Sequence, residues 1–289
     1  MNQQISSTLQ LLRFHFSIFL MPVYWFAISQ LININRPRAI LVFIILHALV
    51  YPASNGYNSY MDRDTTSIGG VKKPKQPTRL LFYVTIILDC IAILLSLLIS
   101  TFFALGILLY ILASRAYSYR GIRLKKYPVT GYLTVMIFQG AVTFLLVYHG
   151  CSASFTTEAP MAGMIASSLL IGGFYPLTQV YQHKEDLKDG VKTISYLLGY
   201  NGTFIFTGII YAMSFIAMGY LFFSNLEGKL FYLFQIFMLP VLVYFFTWFR
   251  KVAKDNREAN FENTMRMNVI ASVCTNLGFI TILILRLVE

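Results

Sequence analysis

Apolar and polar positions fall along this chain in long blocks. Nine apolar runs stand out, at about 14–32, 39–54, 80–99, 102–118, 132–149, 161–181, 203–223, 229–248 and 267–286. Most approach the roughly 20 residues that a helix needs to cross a bilayer core. The pattern predicts an all-α fold, a polytopic membrane bundle of about nine transmembrane helices. Long polar loops follow helices 2, 4, 6 and 8, and mostly short ones follow helices 1, 3, 5 and 7. The chain reads as a single domain over 1–289, with a pseudo-repeat of roughly 1–131 and 132–248 plus a last helix at 267–286.

Composition supports the same class. Of 289 residues 57% are hydrophobic and only 12% charged, about half the charged fraction of a soluble domain. The first residues lack a short apolar core with a small-residue cleavage site, so no cleaved signal peptide is expected. Cys90, Cys151 and Cys274 are far apart and form no CxxC pair, which indicates neither a disulfide framework nor a zinc site. The net charge of +11 is confined to loops. It therefore points to topology and an anionic ligand, and no nucleic acid is expected.

The basic residues have a side. Arg13 and the loops 63–79, 115–126, 184–192 and 250–266 hold all of them except Arg36, Arg38, Lys229 and Arg286. By the positive-inside rule the N-terminus and the even-numbered loops are cytoplasmic, in a cell-membrane protein that crosses many times. Eight of the twelve acidic residues lie in those same loops. Asp89 alone falls inside a span, where an ionisable group is a functional candidate by default. No partner is evident for it in the sequence, and a hydrogen bond within the helix interior is the plainer reading.

Three polar stretches carry chemistry. In SNGYNSYMDRD (54–64), a helix extended from span 2 puts Asn58 and Asp62 on one face, with Asn55 a turn earlier. Asp64 points elsewhere unless the helix has unwound by then. Amide and carboxylate oxygens at a membrane boundary suit a hard cation such as Mg2+, which takes one or two carboxylates and completes its shell with water and phosphate. A solvated turn explains the same residues equally well. The tie is broken after span 6, where YQHKEDLKDGVKT (181–193) places Gln182 and Asp186 four apart, with Glu185 and Asp189 on a neighbouring face. After span 4, YSYRGIRLKKYP (117–128) adds Arg120, Arg123, Lys125 and Lys126 among aromatics, and KKPKQPTR (72–79) adds Lys72 beside the first stretch. Arginine offers phosphate a bidentate fork and lysine a point charge. Topology and anionic lipid account for most such basic residues.

With these residues in view, the sequence resembles the UbiA superfamily of intramembrane prenyltransferases. The family's N-x-x-x-D-x-x-x-D motif falls on Asn58 and Asp62, with Thr66 where the last Asp belongs and Asp64 two positions early. Its D-x-x-x-D motif falls on Gln182 and Asp186, followed by Gly190, Val191, Lys192 and Thr193. Its Y-S-x-x-x-x-(K/R)-L-K signature is intact as Tyr117, Ser118, Arg123, Leu124 and Lys125. The resemblance implies an enzyme that moves a prenyl group from a polyprenyl diphosphate to a hydrophobic acceptor, with Mg2+ as cofactor. It implies catalytic roles for Asp62, Asp186, Arg123 and Lys125. Substrate contacts fall to Asn55, Asn58, Lys72, Tyr117, Gln182 and Lys192, and metal contacts to Asn58, Asp62, Asp64, Asp186 and Asp189. An aromatic acceptor is the family's commonest case; lipid or sugar phosphates are the alternative.

Two other classes compete. A transporter also shows pseudo-repeats and polar clusters, but its site belongs near the midplane on broken helices. A phosphatidyl-alcohol transferase would carry D-G-x-x-A-R, which is absent. His15, His47 and His149 read as packing or interface residues. His183 reads as either a substrate contact or a solvated helix-end residue, and the stretch 250–268 as a plain loop.

Overall fold

The computed structural model describes residues 3–288, and no strand occurs among them. The helices are α1 (Gln3–Leu12), α2 (Met21–Ser29), α3 (Arg36–Ile44), α4 (Tyr51–Asp62), α5 (Arg79–Leu97), α6 (Thr101–Ser118) and α7 (Pro128–Met136). They continue as α8 (Thr143–Cys151), α9 (Met161–Leu177), α10 (His183–Lys188), α11 (Ile194–Ser224), α12 (Gly228–Lys254) and α13 (Phe261–Val288). Wider π-helical turns at 45–50 and 137–142 fuse α3 with α4 and α7 with α8 into continuous crossings. Among the described residues eight segments are long and apolar enough to span a membrane, and α9 is a shorter apolar helix of 17 residues.

Local chemistry sets the ends. Asn35 caps α3 by accepting from the Arg38 amide at 3.1 Å. Ser100 caps α6 through the Phe103 amide at 3.0 Å, and Thr193 caps α11 through the Tyr196 amide at 3.2 Å. Pro128 opens α7, where its missing N–H costs nothing. The last helix packs on α2 as well as α12, which closes the bundle. Asn276 donates to the Ile18 carbonyl at 3.2 Å across that seam.

Three boundaries differ from the apolar runs. The second crossing runs on to Asp62, because its polar last turns pack against α5 and α6 instead of dissolving into a loop. The seventh begins at Ile194 and is interrupted at Gly199 (φ 68°), a left-handed position open to glycine. Before the first crossing lies α1, which buries Leu11 and Leu12, and Arg13 (φ 49°) breaks the chain between α1 and the turn at 14–19.

Asp89 also differs from its expected solitary bond. It pairs with Arg115, which lies inside α6 and not in the following loop. The same guanidinium donates to the Thr85 carbonyl at 3.2 Å and sits 3.9 Å over the Tyr57 ring. The bond within one helix is replaced by an ion pair between two, since a carboxylate buried among apolar spans needs a compensating charge.

Where α9 crosses the π turn at 137–142 the backbones nearly touch. A Cβ on Gly140 would lie 2.3 Å from Ser168 Cα, and the Ala141 amide donates to Ser168 Oγ at 3.0 Å. Gly140→Ala is therefore expected to destabilise the protein by about 1–3 kcal/mol through forced backbone separation, read as a lowered unfolding midpoint in detergent.

Candidate active site

The last turns of α4 bring Asn55, Asn58 and Asp62 to one cavity. Arg63 then takes a left-handed conformation (φ 55°, ψ 41°) that stops the helix. The chain turns back at once, so Asp64 reaches the same cavity, while Thr66 is exposed and lies off its wall. Ser118, at the end of α6, donates to Asn58 Oδ1 at 2.9 Å and fixes that amide. From the other half of the bundle come Gln182, Glu185, Asp186 and Asp189, carried by α10 and its flanks. The Val191 amide closes the turn after α10 onto the Asp186 carbonyl at 2.8 Å.

The segment 119–127 joins the two halves electrostatically. Lys125 bonds Asp62, and Arg123 bonds the Asp189 carboxylate while lying 3.7 Å from Asp62 Oδ1. Arg120 lies 3.3 Å from Asp189 and donates to the Met61 carbonyl at 2.7 Å. Away from these charges the cavity, of about 240 Å³, turns apolar and aromatic, with Phe16, Phe19, Tyr110, Phe138, Ile171 and Phe174 on its walls. Tyr117 and Tyr175 meet there hydroxyl to hydroxyl.

Crowding marks the acids. Burial, reinforced by the charges of Asp64, Asp62 and Asp189 against the opposing pull of Lys125, pushes Asp186 up to about 7. Burial and the nearby Asp62 push Asp64 up to about 6. In the unfolded chain both groups revert to the ordinary carboxylate range near 4. Between there and pH 7 the folded chain holds more protons than the unfolded one, so its stability falls as pH rises and levels off above 7. The unfolding temperature is expected to drop between about pH 5 and about pH 8, and an added divalent cation is expected to restore it more at the upper end.

The donor set fits a hard cation. Its lining ligands are carboxylate and amide oxygens, without histidine or cysteine among them. Asp62 Oδ1 is buried and accepts no hydrogen bond. Among the described residues no three His, Cys, Asp or Glu stand close enough to hold an ion alone. The site suits an ion whose shell is completed by water and ligand oxygens.

The sequence pattern of the UbiA prenyltransferase family matches residues 18–270. The chain belongs to the UbiA prenyltransferase family. Membrane prenyl transfer is the activity that membership carries. A UbiA homolog from Archaeoglobus fulgidus, solved bound to GPP and Mg2+, has the same fold at TM-score 0.70 and 19% identity, over 96% of this chain and 99% of that one. An apo UbiA homolog from Aeropyrum pernix K1 matches at TM-score 0.70 and 18% identity, over 93% and 98%. A digeranylgeranylglyceryl phosphate synthase matches at TM-score 0.62 and 16% identity, over 98% of both chains. No curated protein matches the chain in sequence.

In this UbiA-family protein the cavity gathers Asn55, Asn58, Asp62, Asp64, Tyr117, Lys125, Gln182, Asp186 and Asp189. It does not gather three others. Arg123 is buried behind the carboxylates, Lys72 pairs with Glu262 at 2.5 Å, and Lys192 is exposed off the wall. His183 is neither solvated nor on the wall. It is buried, bonded to Ser195 Oγ at 2.8 Å and stacked on Tyr200, and burial pushes it down to about 4. Sequence reasoning missed Arg13, counted there only as a topological charge. Its buried guanidinium lines the cavity and donates to the Gly69 carbonyl at 3.2 Å and the Asn55 carbonyl at 3.1 Å. The available signal was its position, an isolated charge immediately before the aromatic FHF of residues 14–16.

Proposed function

We propose that this prenyltransferase uses Mg2+ to transfer the prenyl group of a polyprenyl diphosphate to a hydrophobic, aromatic acceptor inside the membrane. One observation carries the reading: two acid-bearing segments, the end of α4 and α10 with its flanks, line one cavity together with apolar and aromatic residues. The relatives solved with GPP or DMAPP and Mg2+ support it. In this reading Asp62, Asp64, Asp186 and Asn58 are the residues that would contact Mg2+, no three of the acids holding one ion by themselves, and Asp189 and Gln182 would flank them. When bound, Mg2+ neutralises charge on the diphosphate oxygens.

The protein's own groups do the rest. Lys125, on the cavity lining, would supply positive charge to the oxygen that gains charge as the allylic carbon–oxygen bond breaks, which favours the departing diphosphate. Phe138, Phe174, Tyr117 and Tyr175 line the cavity and would shield the isoprenoid chain from water, where aromatic rings can stabilise an allylic cation. The acceptor's ring carbon supplies the electron pair for the new carbon–carbon bond and then loses its proton. Beyond Lys125 and Arg13 the lining offers neutral polar groups such as Ser54, Thr134 and Gln139, without a further cation. That favours an uncharged phenol or quinol over a phosphate-bearing acceptor. The likeness to the digeranylgeranylglyceryl phosphate synthase favours the second reading, a lipid phosphate acceptor. The motif-bearing face is proposed to be cytoplasmic, on the strength of its basic residues.

The test is product analysis. Membranes are incubated with labelled prenyl diphosphates of increasing length and with aromatic or glycerol phosphate acceptors, with Mg2+ or a chelator. A metal-dependent prenylated aromatic is expected. Absence of product from every donor, together with ion flux in liposomes, would replace the enzyme by a transporter.

A further inference from the structure

The acids of the site are not equivalent. Asp62 is bonded by Lys125 and flanked by Arg123, and Asp189 is bonded by Arg123 and approached by Arg120. Among the described residues Asp64 and Asp186 form no ion pair, although both face the same cavity. The paired groups are well shielded, with side-chain exposures of 6% for Asp62, 12% for Lys125 and 10% for Arg123. A divalent ion arriving alone therefore meets a carboxylate already engaged and an ammonium beside it.

The two cations differ in what they can do next. Arg123 is buried, adopts a left-handed backbone (φ 53°), and donates to both the carboxylate and, at 2.9 Å, the backbone carbonyl of Asp189. It is fixed by several bonds at once. Lys125 lines the cavity on a flexible four-carbon stem and holds Asp62 by a single ammonium. A diphosphate carries more negative charge than one carboxylate, and a side-chain rotation brings the ammonium to it.

We propose that Lys125 is a placeholder cation: it holds Asp62 until a diphosphate arrives and then moves to it, so that metal and diphosphate each raise the other's affinity. Arg123 stays behind as a positioning residue that ties the two motifs together. The inference rests on the prenyl diphosphate reading above and deepens it. Coupling of this kind is reciprocal, because releasing Asp62 is common to both binding events.

The experiment follows Mn2+ by its EPR signal in the purified protein, alone and with geranyl S-thiolodiphosphate, an analogue that resists ionisation, corrected for Mn2+ held by the analogue in buffer. The wild type is expected to bind Mn2+ roughly 10-fold or more tightly with the analogue than without it. Lys125→Met is expected to bind Mn2+ alone about 10-fold more tightly than wild type, with the coupling ratio reduced by the same factor. Lys125→Arg, which keeps a cation on Asp62, is expected to bind Mn2+ alone as weakly as wild type. Equal Mn2+ affinity in Lys125→Met and wild type, or no coupling in wild type, overturns the proposal. Should Lys125→Met not fold, Lys125→Gln takes its place in the same comparison. Binding without coupling sinks only the placeholder role, whereas no binding of analogue or Mn2+ in any combination sinks the prenyl diphosphate reading and this one with it.

Discussion

Asp186→Asn is expected to lower the rate of prenyl transfer by roughly 100- to 1,000-fold while leaving the protein folded. Among the described residues Asp186 forms no ion pair, so the isosteric amide strands no buried cation there. Its backbone bond from Val191 does not depend on the side chain. What is lost is a charge in a place where burial and three neighbouring carboxylates already resist it. Such a charge is retained for a cation that balances it, and an amide cannot balance that cation. Single-turnover product formation at saturating Mg2+, beside a melting curve, checks the result. A rate within a few-fold of wild type would show that Asp186 holds nothing essential. Asp62→Asn is expected to be at least as damaging but less clean, because it leaves Lys125 without its partner.

The second large effect concerns stability. Arg115→Leu is expected to destabilise the protein by about 3–5 kcal/mol, the usual cost of leaving one member of a buried ion pair uncompensated. Here the remaining charge is Asp89, whose side chain is only 12% exposed between two membrane helices. Two further contacts go with the guanidinium, the Thr85 carbonyl and the Tyr57 ring. Asp89→Leu combined with Arg115→Met is expected to recover most of the loss, since the pair is then replaced by packing. Unfolding midpoints in mixed micelles for the two variants separate these cases. If the single variant unfolds like wild type, the ion pair contributes nothing to the fold.

The crossings were legible because bilayer composition constrains every one of them. Helix that continues past the apolar run was not: α4 beyond residue 54 and α11 before residue 203 are built from residues that also make loops. The site followed the same division. Asn58, Asp62, Asp186 and Lys125 share spacings that a straight helix or an intact signature reveals, and they meet at one cavity. Arg13 reaches it only because the chain breaks left-handed at that residue, which no local pattern announces. The partner of Asp89 was hidden because Arg115 reads as the first charge of a loop, although it lies a turn inside α6. Lys192 shares its segment with lining residues while none of 72–79 lines the cavity, and composition does not say which side of a turn a lysine takes.

Arg63 gives the missing acid of the first motif a different meaning. The spacing N-x-x-x-D-x-x-x-D presupposes one more helical turn, after which a residue four beyond Asp62 would face the cavity. Here the helix stops at Arg63, and the residue two beyond Asp62 faces it instead. The motif thus encodes helix length as much as chemistry. A protein can move its acid by two positions without losing it, provided a left-handed residue replaces the lost turn. Thr66→Asp would therefore restore the pattern on paper and add only an exposed charge to the molecule.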